Sequence, residues 1–237
     1  MRFGIFGAAQ AGSPRPGTPI GQGFHDFIDF NVEAEALGYH STFLVEHHFT
    51  GWNQVSAPLT LLTWLAARTA TLRLGTAVMV LPWHNPVMLA VQAATLDLLS
   101  GGRLDFGVGK GYRYTEFKGF AFPFDEADAC FEEALAIITK AWISEQRFSH
   151  HGRFWTFDDI IVEPPTNQKP HPPFWMSAGS DSSIRCVAEA RLQSAPRPVR
   201  IVQCNWRAHF PVQGRVRVAR ARLQSNGYCA CARHVCR

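Results

Sequence analysis

Three short stretches of this 237-residue chain put chemically capable side chains next to one another. The first is Glu46-His47-His48-Phe49, directly after the apolar run Ser41–Val45. Packing alone explains three polar groups there poorly. Histidine exchanges a proton near neutral pH, so a histidine at this place is a candidate general base. The plainer alternative is a histidine that only hydrogen-bonds within its loop. Metal ligation fits less well, because adjacent histidines project in different directions and no third ligand stands nearby. The second stretch is Gly101-Gly102-Arg103-Leu104-Asp105-Phe106-Gly107-Val108-Gly109-Lys110-Gly111. Glycines at a strand end let amide N–H groups approach an anion, and Lys110 adds a cation. It is not a P-loop, since Leu104 and Gly111 occupy the places of the required Gly and Ser/Thr. It is a poor dinucleotide fingerprint too, with Tyr112 where the third glycine belongs. A bare glycine-rich turn is the alternative. The third stretch, Ser177-Ala178-Gly179-Ser180-Asp181-Ser182-Ser183, offers hydroxyls and N–H groups where a strand hands over to a helix. Such a place suits a phosphate, although Ser180 or Asp181 as a simple N-cap explains it as well.

The elements that must position these groups alternate along the chain. Residues 2–6 read as a buried strand, followed by a Gly/Pro-rich loop. A helix over Phe24–Leu37 stops at Gly38. Strand Ser41–Val45, helix Pro58–Ala70 with Ser56 as cap, and strand Leu72–Leu81 come next. A helix over Pro86–Leu99, strand Leu104–Val108 and an amphipathic helix over Glu126–Trp142 follow. Residues 147–163 read as a hairpin, Pro164–Pro173 as a proline-rich connector, and Phe174–Ala178 as a fifth strand. Strands alternating with helices form a parallel sheet, and strands apolar on both sides require one covered on both faces. A closed barrel and an open doubly wound sheet both satisfy this, and both place chemistry at the C-terminal strand ends.

Hydrophobic residues make up 46% of the chain and charged residues 18%, enough for a packed core and unlike a disordered chain. No apolar run reaches the roughly 20 residues of a membrane helix, and the N-terminus lacks the pattern of a signal peptide, so a cytoplasmic protein without a membrane partner is expected. The net charge of +4 conceals a split. Residues 1–186 hold 13 Lys and Arg against 18 Asp and Glu, a balance of −5, while residues 187–237 hold 10 Arg against Glu189 alone, a balance of +9. Cys204, Cys229, Cys231 and Cys236 also lie in that tail. An Arg-rich segment can bind nucleic acid, and Cys229-Ala230-Cys231 with His234 can bind metal. Neither pattern has the spacing of a known site, and no nucleic-acid or metal role is expected. The reading that fits the composition better takes 1–189 as the folded unit and 190–237 as an Arg/Cys-rich tail that is frameshifted or disordered.

Taken together, Glu46-His47-His48-Phe49-Thr50, Gly75–Pro82 with His84 and Pro86, and Gly102–Gly111 resemble the bacterial luciferase-like, flavin-dependent monooxygenases in residue type, order and spacing. Gly152-Arg153-Phe154-Trp155, Pro164-Pro165, Gln168, His171-Pro172-Pro173 and Ser180 are similar as well, so the likeness spans about 1–189. The resemblance implies an α/β fold of the TIM (β/α)8-barrel type, incomplete here with about five βα units. It implies reduced FMN supplied by a separate reductase, with O2 as co-substrate, and oxidation of an aldehyde or similar small organic substrate through a flavin C4a-peroxide. His47 matches the family's catalytic histidine, flanked by Glu46 and His48. Ala77-Val78 matches a dipeptide beneath the flavin ring, often joined by a cis peptide. Gly109-Lys110 matches a basic contact to the FMN phosphate; light-emitting members carry cysteine where Gly109 stands. Gly179 and Ser180 match a second phosphate contact. A dry, apolar site would be needed, and Phe3, Phe6, Phe43, Phe49, Trp52, Trp83 and Phe106 are candidates for its lining. Members of the family are often homo- or heterodimers. Two alternatives remain: a deazaflavin-dependent reductase of the same fold, and a truncated, non-catalytic fragment or subunit.

Overall fold

The computed structural model describes residues 2–11, 17–51 and 54–177, and the backbone of three further strands. In chain order the elements are β1 (Gly4–Gly7), α1 (Gln22–Ala36), β2 (Ser41–Leu44), α2 (Pro58–Arg68), β3 (Arg73–Thr76), β4 (Met79–Val80), α3 (Pro86–Leu99), β5 (Leu104–Gly109), α4 (Tyr114–Gly119), α5 (Ala127–Ile143), β6 (Phe148–His151), β7 (Thr156–Ile160), β8 (Phe174–Ser177), β9 (Arg200–Gln203), β10 (Ala221–Leu223) and β11 (Cys229–Cys231). The main sheet runs β1-β2-β3-β5-β8-β9-β11-β10, with β4 also on β5. Every pairing in it is parallel except β10 with β11, and β6 and β7 form a separate antiparallel hairpin. The fold is α/β with the parallel strand–helix alternation of a barrel. The last three strands fall within 190–237; the rest of that segment, with Gly179, Ser180 and Trp52, lies outside the described residues.

The register explains which face of each strand meets which partner. Leu74 pairs with Leu104 and Thr42, and Phe106 and Val108 continue that face along β5. With Leu44 these residues join one core with Leu62 and Leu65 of α2, Ala90 and Ala93 of α3, and Ile138 and Trp142 of α5. Complete burial of each large side chain contributes about 1.5–3 kcal/mol. On the opposite face Phe6 pairs with Phe43, and Phe43 with Gly75. The Phe43 and Trp175 rings meet edge to face at 5.0 Å. A Cβ on Gly75 would run into the Phe43 ring, so glycine there is a packing requirement. Phe106, expected among the site-lining aromatics, is instead fully buried on the helix side, 5.2 Å from the Trp142 ring. Asp105 on the inner face is held by a two-pronged ion pair from Arg73, at 2.7 and 2.8 Å.

Three local features differ from the sequence reading. The expected strand 72–81 is two strands, β3 and β4. Ser56 does not cap α2; its hydroxyl donates to the His47 carbonyl at 2.8 Å, and Ala57 holds the cap position without a side-chain bond. Helix α4 interrupts what reads as a loop, and it carries a buried acid.

Candidate active site

The site begins where the third strand breaks. Gly75 pairs with Asp105, but Met79 pairs with Val108, so the β3–β4 side spends one residue more than β5 over the same stretch, as a bulge does. The Ala77–Val78 peptide at this bulge is cis, the geometry the resemblance implied. Thr76 bridges the gap: its hydroxyl donates to the Gly107 carbonyl at 2.7 Å and accepts from the Gly107 amide at 2.8 Å. A Cβ at residue 107 would collide with the Thr76 carbonyl. At residue 109 it would lie 2.6 Å from Val78 Cγ2. Gly109 is thus required by Val78, whatever else approaches it. Between buried Gly75–Thr76 and buried Met79–Pro82, only Ala77 and Val78 reach partway to the surface. They form a small apolar ledge at the C-terminal strand ends.

Glu46, His47 and His48 leave the same end of the neighbouring strand. Glu46 is 2% exposed and accepts three hydrogen bonds. The Val80 amide donates to Oε2 at 2.7 Å, and His48 Nε2 and His84 Nε2 contact Oε1 at 2.9 and 2.7 Å. Burial alone would raise the Glu46 carboxyl, yet the bonds from His48, His84 and Val80, with the nearby charge of His84, hold it below the ordinary carboxylate range. Glu46 therefore ties β2 to β4 just past the ledge. These bonds give Glu46 a positioning role between the two strands.

His47 has a different partner. Its Nδ1 lies 3.0 Å from Glu116 Oε1, and the same oxygen accepts the His48 amide at 2.9 Å. The two side chains are 6% and 2% exposed. Glu116 arrives on α4, and Gly111 lets the chain turn into it with φ +81 where a Cβ would strike Phe117 and Val80. Sequence reasoning missed Glu116. The one available signal was a lone acid four residues past Tyr112, in a segment with no helical period long enough to read.

Aromatic rings wall this end. His48 lies 4.7 Å from Phe120 and 5.4 Å from Trp83, Trp83 stacks on Phe120 at 5.2 Å, and Tyr112 meets the His47 ring edge-on at 6.5 Å. Phe49, at φ 59, is 67% exposed and packs on Phe120. Of the expected lining, Trp83 and Phe49 stand here, while Phe6 and Phe43 lie lower on the inner face. Lys110 follows β5 at the same end, exposed, with its ammonium 2.5 Å from Asp128 of α5. Its partner here is a carboxylate. The structure thus brings together Glu46, His47, Ala77, Val78, Gly109 and Lys110. Among the described residues no group of acids, histidines and cysteines could hold a metal ion, and no helix is long and apolar enough to cross a membrane.

A parallel α/β sheet with a carboxylate-held histidine and an apolar ledge at its C-terminal strand ends is the arrangement of the barrel class, in which such ends carry the candidate site. The chain belongs to the luciferase-like monooxygenase family, whose model matches residues 1–193. It is 30% identical over 185 residues to the oxygenase component of a flavin-dependent trigonelline monooxygenase from Acinetobacter baylyi, covering 77% of this chain and 50% of that one. It is 35% identical over 169 residues to an F420-dependent glucose-6-phosphate dehydrogenase from Kineococcus radiotolerans, covering 68% and 49%. The crystal structure of the monooxygenase RslO1 from Streptomyces bottropensis superposes with a TM-score of 0.73 at 33% identity, over 80% of this chain and 57% of that one. The chain spans about half the length of the curated relatives it matches.

Proposed function

We propose that this chain is the oxygenase of a two-component monooxygenase, taking reduced FMN from a separate reductase and oxidising an aldehyde or similar small organic substrate with O2. The observation that carries the reading is the buried His47 and the half-buried Ala77–Val78 ledge, both at the C-terminal strand ends where such enzymes act. The residues present fit a flavin: an apolar ledge for a ring, a buried histidine after the neighbouring strand, and a lysine after β5 for a phosphate. Reduced FMN, when bound, supplies the electrons that activate O2. The chain's own part is to hold and orient. Ala77 and Val78 would support the ring, and Lys110, with Gly179 and Ser180, would meet the phosphate. The aromatic wall of Trp83, Phe120 and Tyr112 keeps water out, and His47 gives or takes the proton at Nε2. The family relationship and the oxygenase named among the relatives support this reading and the need for a reductase.

Binding of photoreduced FMN, followed anaerobically, should saturate with wild type and with His47→Ala alike. Oxygen-dependent oxidation of a panel of aldehydes should fall by about 10²–10⁴-fold in the variant. No flavin binding, or turnover that survives loss of His47, overturns the proposal. A second reading, hydride transfer on a deazaflavin without oxygen, is favoured by the 35% identity to an F420-dependent dehydrogenase. Substrate reduction or oxidation with F420 and no oxygen uptake would select it.

A further inference from the structure

We infer that Glu116 is a positioning residue that fixes His47 in the tautomer protonated at Nδ1, so that Nε2 is the nitrogen presented for proton transfer. The inference rests on the proposed role of His47 but concerns the protein without any cofactor. Glu116 Oε1 accepts the His48 backbone amide at 2.9 Å, and an amide nitrogen can only donate. That oxygen is therefore already an acceptor, and the 3.0 Å contact from His47 Nδ1 to the same atom is satisfied when Nδ1 carries the proton. The His48 amide also anchors the carboxylate to the loop that holds the histidine, so ring and acid move together. The His47 main chain is pinned on both sides: its amide donates to the Val55 carbonyl at 3.1 Å, and its carbonyl accepts the Ser56 hydroxyl at 2.8 Å. With backbone and Nδ1 both held, the ring has one orientation. The arrangement repeats the physical logic of a base oriented by a third group, reached here by a residue 69 positions downstream on α4.

The neighbouring carboxylate does not compete for this role. Glu46 meets the His48 and His84 rings through Oε1 and the Val80 amide through Oε2, so the two buried acids serve separate imidazole rings. Removing Glu46 should loosen the β4 segment, whereas removing Glu116 should alter His47 itself.

The test is long-range 1H–15N correlation of the His47 ring in the cofactor-free protein, at a pH where the imidazole is neutral. Wild type should show a protonated Nδ1 and an unprotonated Nε2, and the reverse pattern overturns the inference. In Glu116→Gln the amide can donate to Nδ1, and the population should shift toward Nε2–H. Turnover should then drop about 100-fold with KM and flavin affinity within about twofold of wild type. Glu116→Asp, which keeps an acceptor, should recover part of the rate. A Gln variant whose His47 tautomer and turnover match wild type also overturns it. The tautomer in the unmodified protein decides the point even if no oxygenase activity is found, so failure here is distinct from failure of the functional proposal.

Discussion

Glu46 shows how one side chain can be placed by neighbours that lie far apart in the chain. Three groups from β4, the following turn and its own loop converge on it, and their bonds outweigh the burial that would otherwise raise its carboxyl pKa. Because its folded pKa lies below its unfolded value, it contributes stability that is fully present above the ordinary glutamate range. That stability is lost as pH falls through the depressed folded value. Urea midpoints measured between about pH 3 and 6 should therefore fall less steeply with acid in Glu46→Gln than in wild type. The variant should also be less stable at neutral pH. At this scale the histidine was legible, since a polar triplet after an apolar strand is unusual. Its carboxylate partner was not: Glu116 is ordinary in sequence and becomes distinctive only once α4 folds it under His47.

At the scale of elements, the break between β3 and β4 is what opens the site. Nothing in the run Leu72–Leu81 forbids a continuous strand, and by pattern it reads as one. The break arises because Thr76 satisfies the Gly107 amide and carbonyl with its hydroxyl, and because residue 107 has no Cβ to obstruct the Thr76 carbonyl. Gly107→Ala should destabilise the fold by about 3 kcal/mol in chemical denaturation, by overpacking against backbone. Thr76→Val, which keeps the shape and removes both bonds, should cost about 2 kcal/mol through two buried groups left unpaired. A Gly107→Ala protein of wild-type stability would show that the close approach is dispensable. Most other elements were readable from period and punctuation, and helices α1, α3 and α5 begin or end within a few residues of the expected places. Helix α4 was not, because a six-residue helix has too few turns to carry a period.

At the scale of the molecule, one sheet face is filled by helices and the other carries the aromatic layer of Phe6, Phe43 and Trp175. Phe106 belongs to the first face, fully buried among Trp142 and Phe174. Phe106→Ala should cost about 4 kcal/mol in unfolding free energy while leaving flavin affinity in the surviving folded fraction near wild type. A selective loss of flavin affinity without loss of stability would place the ring in the site instead. The family match ends at residue 193, and the charge balance changes from acidic to Arg-rich at about residue 187.

Sequence by itself determined the α/β alternation, the family, and the strand ends where chemistry gathers, because these depend on local period, turn residues and short motifs. Tertiary structure alone decided that Glu116 holds His47, that Glu46 clamps β4, that Gly109 answers to Val78, and that Phe106 turns away from the site. Each of these is a contact between residues distant in the chain. Register and side-chain direction fix such contacts only when the strands are laid side by side.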